Sequence, residues 1–224
     1  PDPGLFLGET LADYLVRSGI KISQVETART DYLAKKQVQY KPGKIVHTQT
    51  SRPMKDIVQE VNVKSNNHYA EHLLRIIGRT QNTDIYSDAL QAGIDYVKKF
   101  WEQQGISTSS LTLHDGSGLA PQNAFSPAFL TEILAYMYTK SKNSKVFFDS
   151  LPKAGKDGTL RSFMRNTKYE GKISAKSGSI GGVQCYSGYL IDGNKQYAFT
   201  VMINKFNGTR SQVRSAIEKF LSTL

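Results

Sequence analysis

Two short clusters in the chain combine a hydroxyl with a carboxamide and a hydroxyl with an ammonium, groups that could act on a ligand in a cleft. Ser65-Asn66-Asn67 sets a hydroxyl and a carboxamide two residues apart at the start of a segment whose apolar residues Leu73, Leu74 and Ile77 recur at helical spacing. From a helix start both groups can be aimed into one cleft, although Ser65 alone reads equally as an ordinary N-cap. Lys176-Ser177-Gly178-Ser179 closes a β-rich run and is followed by Gly181-Gly182. It offers an ammonium, a hydroxyl and, at Gly178, a strand edge with no side chain to obstruct an extended ligand. Alone, it reads as a flexible basic turn. A third cluster, His68-Tyr69-Ala70-Glu71-His72, fits the inverted zinc-peptidase pattern His-x-x-Glu-His, in which two imidazoles four residues apart chelate one metal. No glutamate in the following helical segment stands out as a third ligand.

These clusters need elements to hold them, and the hydrophobic pattern supplies candidates. Leu5 to Arg17 reads as an amphipathic helix ended by Gly19, with Leu7, Leu11, Tyr14 and Leu15 at helical spacing. Lys21 to Thr27 alternates enough for a short strand. Residues 28–50 are polar and carry Pro42-Gly43, which predicts loop with one candidate strand at Ile45 to Gln49. A helical pattern runs from Pro53 to Val63 and resumes after Ser65 as far as Gly78. Ser87 is placed to cap a helix from Asp88 to Gln104, with Gly105 ending it. His114-Asp115-Gly116-Ser117-Gly118 predicts a tight turn. Ser126-Pro127 opens a further helix with Phe129, Ile133, Leu134 and Met137 on one face. The last third holds three β-rich runs, Lys172 to Ser177, Val183 to Ile191 and Gln196 to Ile203. Asp192-Gly193-Asn194-Lys195 joins the latter two as a hairpin. Thr209 caps a closing helix through Val213, Ile217, Phe220 and Leu221. Helices, an antiparallel meander and a final helix make an α+β fold.

Composition sets the outer limits. The 224 residues are 39% hydrophobic and 21% charged, near globular averages and unlike a disordered tail or a fibre. No run approaches the ~18 apolar residues of a membrane-spanning helix. No signal peptide is visible at Pro1-Asp2-Pro3-Gly4, so any export signal would lie upstream. A single cysteine, Cys185, excludes an internal disulfide. Lys plus Arg at 29 against Asp plus Glu at 19 leaves a net charge of +10, which favours polyanionic partners without specifying chemistry.

Taken together and in this order, the clusters resemble a known family. Ser-x-Asn on a helical segment followed by Lys-Ser/Thr-Gly on a strand are the second and third motifs of the penicillin-recognising serine acyl-transferases. Ser65 to Arg75 resembles the block S-[DN]-N-x-x-A-E-x-L-L-R, and Asp115-Gly116-Ser117-Gly118-Leu119 resembles D-G-S-G-L. Leu151 to Leu160 resembles L-P-x-A-G-x-D-G-T-L, and Lys172 to Ile180 reads as K-[IV]-x-A-K-[ST]-G-[ST]-[IL]. The likeness is to the D-alanyl-D-alanine carboxypeptidase/endopeptidase family of low-molecular-mass penicillin-binding proteins, the DacB-like branch. It takes in nearly the whole chain, Lys21 to Lys55 being the vague part.

The resemblance implies an α+β fold that is the C-terminal half of a penicillin-binding-protein or β-lactamase-like transpeptidase domain, an antiparallel sheet with helices. It implies that Ser65 relays a proton to the leaving group and that Asn67 bonds the substrate's peptide carbonyl or the catalytic lysine. Lys176 would supply positive charge, Ser177 would bind the terminal carboxylate, Gly178 would leave room for the substrate, and the backbone N–H of Ser179 would serve in the oxyanion hole. It implies no cofactor. Peptidoglycan stem peptides and β-lactams would be the ligands, in a periplasmic or extracytoplasmic setting, with no nucleic acid and no membrane span. The acylating serine of such proteins lies in a Ser-x-x-Lys motif upstream of Ser-x-Asn. Ser18-Gly19-Ile20-Lys21 sits at a helix end, and Ser150-Leu151-Pro152-Lys153 falls out of order. Residues 1–224 are therefore expected to be the C-terminal portion of a transpeptidase-like domain, partnered by a missing N-terminal half. This portion alone would be inactive and would leave an exposed sheet edge. Two other readings remain open from the sequence: an inactive peptidoglycan-binding module, and a zinc peptidase using His68, Glu71 and His72.

Overall fold

The computed structural model describes all residues except 1, 37–43, 46, 83, 85 and 86, and its described chain divides into two compact units, 1–50 and 51–224. The first unit contains helix α1 (Pro3–Arg17) and helix α2 (Ala28–Leu33). Asp2 caps α1 by accepting a hydrogen bond from the Leu5 N–H at 3.0 Å, Pro3 follows at the first helical position, and Gly19 ends the helix at φ 82°. The apolar residues Leu7, Leu11 and Tyr14 of α1 are exposed. Helix α2 stands where loop is expected. Thr27 and Thr30 form a reciprocal capping box there, each side chain bonding the other residue's backbone N–H, and this Thr-x-x-Thr form lacks the usual Glu or Gln. The strand expected at Lys21 to Thr27 is absent, and so is that at Ile45 to Gln49 over its described residues. Pro42-Gly43 lies outside the described residues.

The second unit carries helices α3 (Met54–Lys64), α4 (Asn67–Gln81), α5 (Ala89–Gln103), α6 (Pro127–Thr139), α7 (Ser144–Ser150) and α8 (Arg210–Leu221). Strands β1 (Ile173–Ile180), β2 (Val183–Asp192) and β3 (Lys195–Asn204) form one antiparallel sheet in the order β1-β2-β3. The α+β class is thus as the sequence predicts. Asp192 pairs with Lys195, so Gly193-Asn194 alone makes the β2–β3 turn, and Gly193 takes φ 58° at its first central position. Asp88, not Ser87, caps α5: its carboxylate accepts from the Leu90 and Gln91 N–H groups, while the Ser87 hydroxyl donates to Asp84 O.

The sheet is covered on both faces. Ile173, Ala175, Tyr186 and Leu190 point to one side and meet Ile217 and Leu221 of α8, together with Leu160 and Phe163 from the segment before β1. Ser174 and Tyr189 point to the other side, where Tyr189 packs with Leu134 of α6 and donates its hydroxyl to Leu134 O at 2.8 Å. Alternation along β1 therefore puts Lys176, opposite Ser187, on the α6 side and Ser177, opposite Tyr186, on the α8 side. Phe220, expected on the inner face of α8, is 56% exposed, because the buried stripe runs Val213, Ile217, Leu221 at strict four-residue spacing.

Helices α4 and α5 meet backbone to backbone. A Cβ built on Gly78 would lie 1.8 Å from Ala89 O, and one on Gly93 would lie 2.3 Å from Leu74 O. Alanine at 78 in an isolated helix would be favourable by up to about 1 kcal/mol. Here the overlap with backbone reverses the sign. Gly78→Ala is expected to lower unfolding stability by about 1–3 kcal/mol, measured by urea denaturation of residues 1–224.

Candidate active site

The junction between α3 and α4 is built by Ser65 and Asn66. Ser65 ends α3 in the left-handed conformation (φ 55°, ψ 50°), which costs a non-glycine residue roughly 1–2 kcal/mol. Asn66 is the N-cap of α4, its Oδ1 accepting from the Tyr69 N–H at 3.1 Å. Ser65 is thus not the N-cap. Its hydroxyl is spared capping duty and turned towards the sheet. Asn67 opens α4 half-buried, and its carboxamide has no hydrogen-bond partner among the described residues.

Lys176 reaches this junction from β1. Its Nζ donates to Ser65 Oγ at 2.9 Å, across 111 residues of sequence, and to Ser177 O at 2.6 Å. Burial pushes the Lys176 ammonium below the ordinary lysine range. The Ser177 hydroxyl donates to Thr159 Oγ1 at 2.8 Å.

The edge of β1 is closed along one half and open along the other. Ala154 N–H donates to Ile173 O at 2.9 Å and Ala175 N–H to Pro152 O at 3.1 Å, so the 152–154 segment lines the start of the strand. Ile173 and Ala175 therefore turn their backbone groups outward, and the two-residue repeat does the same for Ser177 and Ser179. Beyond Ala175 no backbone segment among the described residues pairs with that edge. The expected open edge is present in this partial form, and β3, the other outer strand, pairs on one side only. A Cβ at Gly178 would meet nothing nearer than Cys185 Cβ at 3.8 Å. The chain itself does not require glycine there.

Two loops brace these parts. Gly158 of the 3₁₀ turn Gly158–Leu160 sits so close to the end of α3 that a Cβ would come 2.4 Å from Val63 O, which fixes Thr159 beside Ser177. Glu71 of α4 accepts from Gly116 N–H at 2.7 Å with one oxygen and from Arg75 Nε at 2.7 Å with the other. Asp115 accepts from the Ser117 hydroxyl, the Asn123 amide and the N–H groups of Gly118, Leu119 and Ala120. Burial works to raise the Asp115 carboxyl, but the hydrogen bonds from Asn123, Ala120, Ser117 and Gly118 outweigh it and hold the group below the usual carboxylate range. Asp115 holds the turn.

Neither Ser-x-x-Lys spacing joins its own serine to its own lysine. Ser18 Oγ donates to Tyr14 O at 2.9 Å, and Ser150 Oγ donates to Phe147 O at 2.6 Å while accepting from Asn62 Nδ2 at 2.8 Å. Hydrogen bonds instead join parts of three sequence blocks, Ser65, Lys176-Ser177 and Thr159, with Asn67 two residues beyond Ser65 and Gly178-Ser179 continuing the strand. Over residues 1–224 the sequence matches the family described as D-Ala-D-Ala carboxypeptidase 3 (S13). The chain belongs to that family.

Relatives agree with the match. Penicillin-sensitive carboxypeptidase A of Dictyostelium discoideum is 26% identical over 235 residues, covering 100% of this chain and 42% of that protein. The D-alanyl-D-alanine carboxypeptidase of Actinomadura sp. (strain R39) is 29% identical over 75% of this chain and 32% of its own length. Penicillin-binding protein 4 (dacB) of Haemophilus influenzae, solved in complex with a β-lactam, superposes with a TM-score of 0.80 at 22% identity, covering 97% of this chain and 50% of that one. This chain spans half or less of the length of each. It is a DacB-like, low-molecular-mass penicillin-binding-protein fold. Thr159 is the residue at the cleft to which the sequence assigned no task. Its signal was present in the Leu151 to Leu160 block, but only the fold brings that block against Ser177.

A depressed Lys176 has a measurable consequence. The folded protein releases this proton at a lower pH than the unfolded chain, so the unfolded state binds more protons between the two values and stability rises with pH across that window. After reductive ¹³C-methylation, the Lys176 signal is expected to titrate below those of the exposed lysines, and Lys176→Met should flatten the rise of stability as pH approaches the ordinary lysine pKa from below.

Proposed function

We propose that the whole protein is a serine-type D-Ala-D-Ala carboxypeptidase/endopeptidase acting on peptidoglycan stem peptides through an acyl-enzyme that β-lactams mimic, in a periplasmic or extracytoplasmic setting. The observation that carries this reading is the 2.9 Å bond from Lys176 Nζ to Ser65 Oγ, which couples the Ser-x-Asn and Lys-Ser-Gly motifs into one proton-handling pair. Residues 1–224 form the C-terminal portion of the catalytic domain, and a preceding N-terminal portion contributes the Ser-x-x-Lys nucleophile and further strands for the sheet. Without it this portion does not acylate, since units of this kind lose nearly all activity when one member is missing.

In the reaction the serine oxygen attacks the carbonyl of the penultimate D-Ala. The C–N bond breaks, the leaving amine takes a proton passed through Ser65, and water later hydrolyses the ester. Lys176, partly desolvated, lowers the energy of anionic species beside it and eases proton transfer at Ser65. Asn67 bonds the peptide carbonyl. Ser177 bonds the terminal carboxylate, with Thr159 setting the direction of its hydroxyl. The outward N–H of Ser179 stabilises the oxyanion, and Gly178 keeps the strand edge clear for the substrate backbone.

The binding-module reading draws on the engagement of both in-chain Ser-x-x-Lys serines with helix carbonyls. The zinc-peptidase reading would use Glu71 with His68 and His72, and Glu71 already accepts from the Gly116 N–H and from Arg75 Nε.

Labelled-penicillin acylation of the full-length protein separates the possibilities. A covalent adduct is expected. Ser65→Ala and Lys176→Met should each slow its formation about 10²–10³-fold, the size of losing one preorganised polar group at the reacting centre. Gly178→Ala should also slow acylation while leaving stability unchanged or up to about 1 kcal/mol higher. No adduct on a folded full-length sample would refute the enzyme and leave the binding module.

A further inference from the structure

Among the described residues, His68 and His72 form a chemically capable cluster that acyl transfer leaves unused. Both imidazoles are exposed on the first two turns of α4, and neither has a hydrogen bond or ion pair with a described residue. Their ring centroids lie 4.3 Å apart with the planes at 68°. Spacing i, i+4 stacks the two side chains on one face of the helix, so their nitrogens can converge on a common point in solvent.

We propose that His68 and His72 constitute a two-imidazole site for a divalent transition cation of the zinc, nickel and copper class, with water completing the coordination. Two imidazole nitrogens on one ion at 2.0–2.1 Å, with a bond angle between square and tetrahedral, set the ring centroids roughly 4.5–5 Å apart. The observed 4.3 Å therefore needs only a small outward rotation of two exposed rings. Imidazole selects this class of cation over magnesium or calcium, which take oxygen ligands. Arg75, the nearest fixed cation along the same helix, is neutralised by Glu71 at 2.7 Å, so it does not oppose a metal ion. Glu71 itself is committed and adds no ligand. No group of three or more metal-ligating side chains occurs among the described residues, so the site is open, with several water positions, and unlike a closed structural zinc site. His68 directly follows Asn67, so the ion would lie at the N-terminal end of α4. The site does not depend on the acyl-transfer reading.

The test is calorimetric titration of tag-free protein with zinc chloride and with nickel chloride, on wild type, His68→Ala, His72→Ala, the double variant and a His114→Ala control. One equivalent should bind to wild type and to the control. Each single variant should weaken binding by at least the roughly tenfold that loss of even an outer-shell partner costs at metal sites. Imidazole ¹H–¹⁵N spectra of the unmodified protein should show the zinc-dependent shifts at His68 and His72, a readout independent of any variant's folding. Absence of saturable binding by wild type, or binding that survives intact in a folded double variant, would overturn the site.

Discussion

An ammonium group drawn partly out of water must be given oxygen atoms, and the way Lys176 is satisfied organises the surrounding structure. One oxygen, Ser177 O, comes from its own strand, so the lysine is folded back along β1. The other, Ser65 Oγ, comes from a helix junction 111 residues earlier. To present that oxygen, Ser65 accepts a left-handed backbone that disfavours a side chain, and Asn66 takes over the capping of α4. Burial makes this group charge less readily than a free lysine, and it is held against a hydroxyl. The same contact ties the α3–α4 junction to β1.

The remaining blocks act as braces around that contact. The 152–154 segment lines the first half of the β1 edge and stops at Ala175, so the open half is the part bearing Ser177 and Ser179. The Gly158 turn fits beneath the last turn of α3 and delivers Thr159 to Ser177. Glu71 fastens the Asp115 turn to α4, and Asp115 gathers five donors to keep that turn rigid. None of these residues need touch a ligand to matter. They fix the distances between Ser65, Lys176 and Ser177. The net charge of +10 finds only one task at the cleft, Lys176; the surplus elsewhere suits a protein that meets anionic polymer without defining its chemistry.

Local signals were read well where a single residue decides an ending. Gly19 and Gly193 act through their own backbone conformation, Ser126 and Thr209 through a side-chain oxygen accepting the N–H three residues on, and each stands where expected. They were misread where two neighbours compete for one role. Asp88 outbids Ser87 as a cap because its carboxylate reaches two N–H groups, and Asn66 displaces Ser65 because the serine is wanted by Lys176. Helix α2 was invisible because its capping box uses a second threonine. Phe220 was placed inside by helical spacing, yet only tertiary packing chooses which edge of an apolar stripe is covered.

The α+β class and the family were determined by the sequence, and it offered Ser65, Asn67 and Lys176 to Ser179 as candidates, since spacing and residue type are local properties of the chain. Only the tertiary structure decided that Lys176 bonds Ser65, that Glu71 bonds the Asp115 turn at the Gly116 N–H, that Thr159 stands against Ser177, and which half of the β1 edge is open. Each of these is a contact between residues far apart in the chain. Its partner is selected by burial and by the demand that buried polar atoms be paired, and no local pattern encodes that choice.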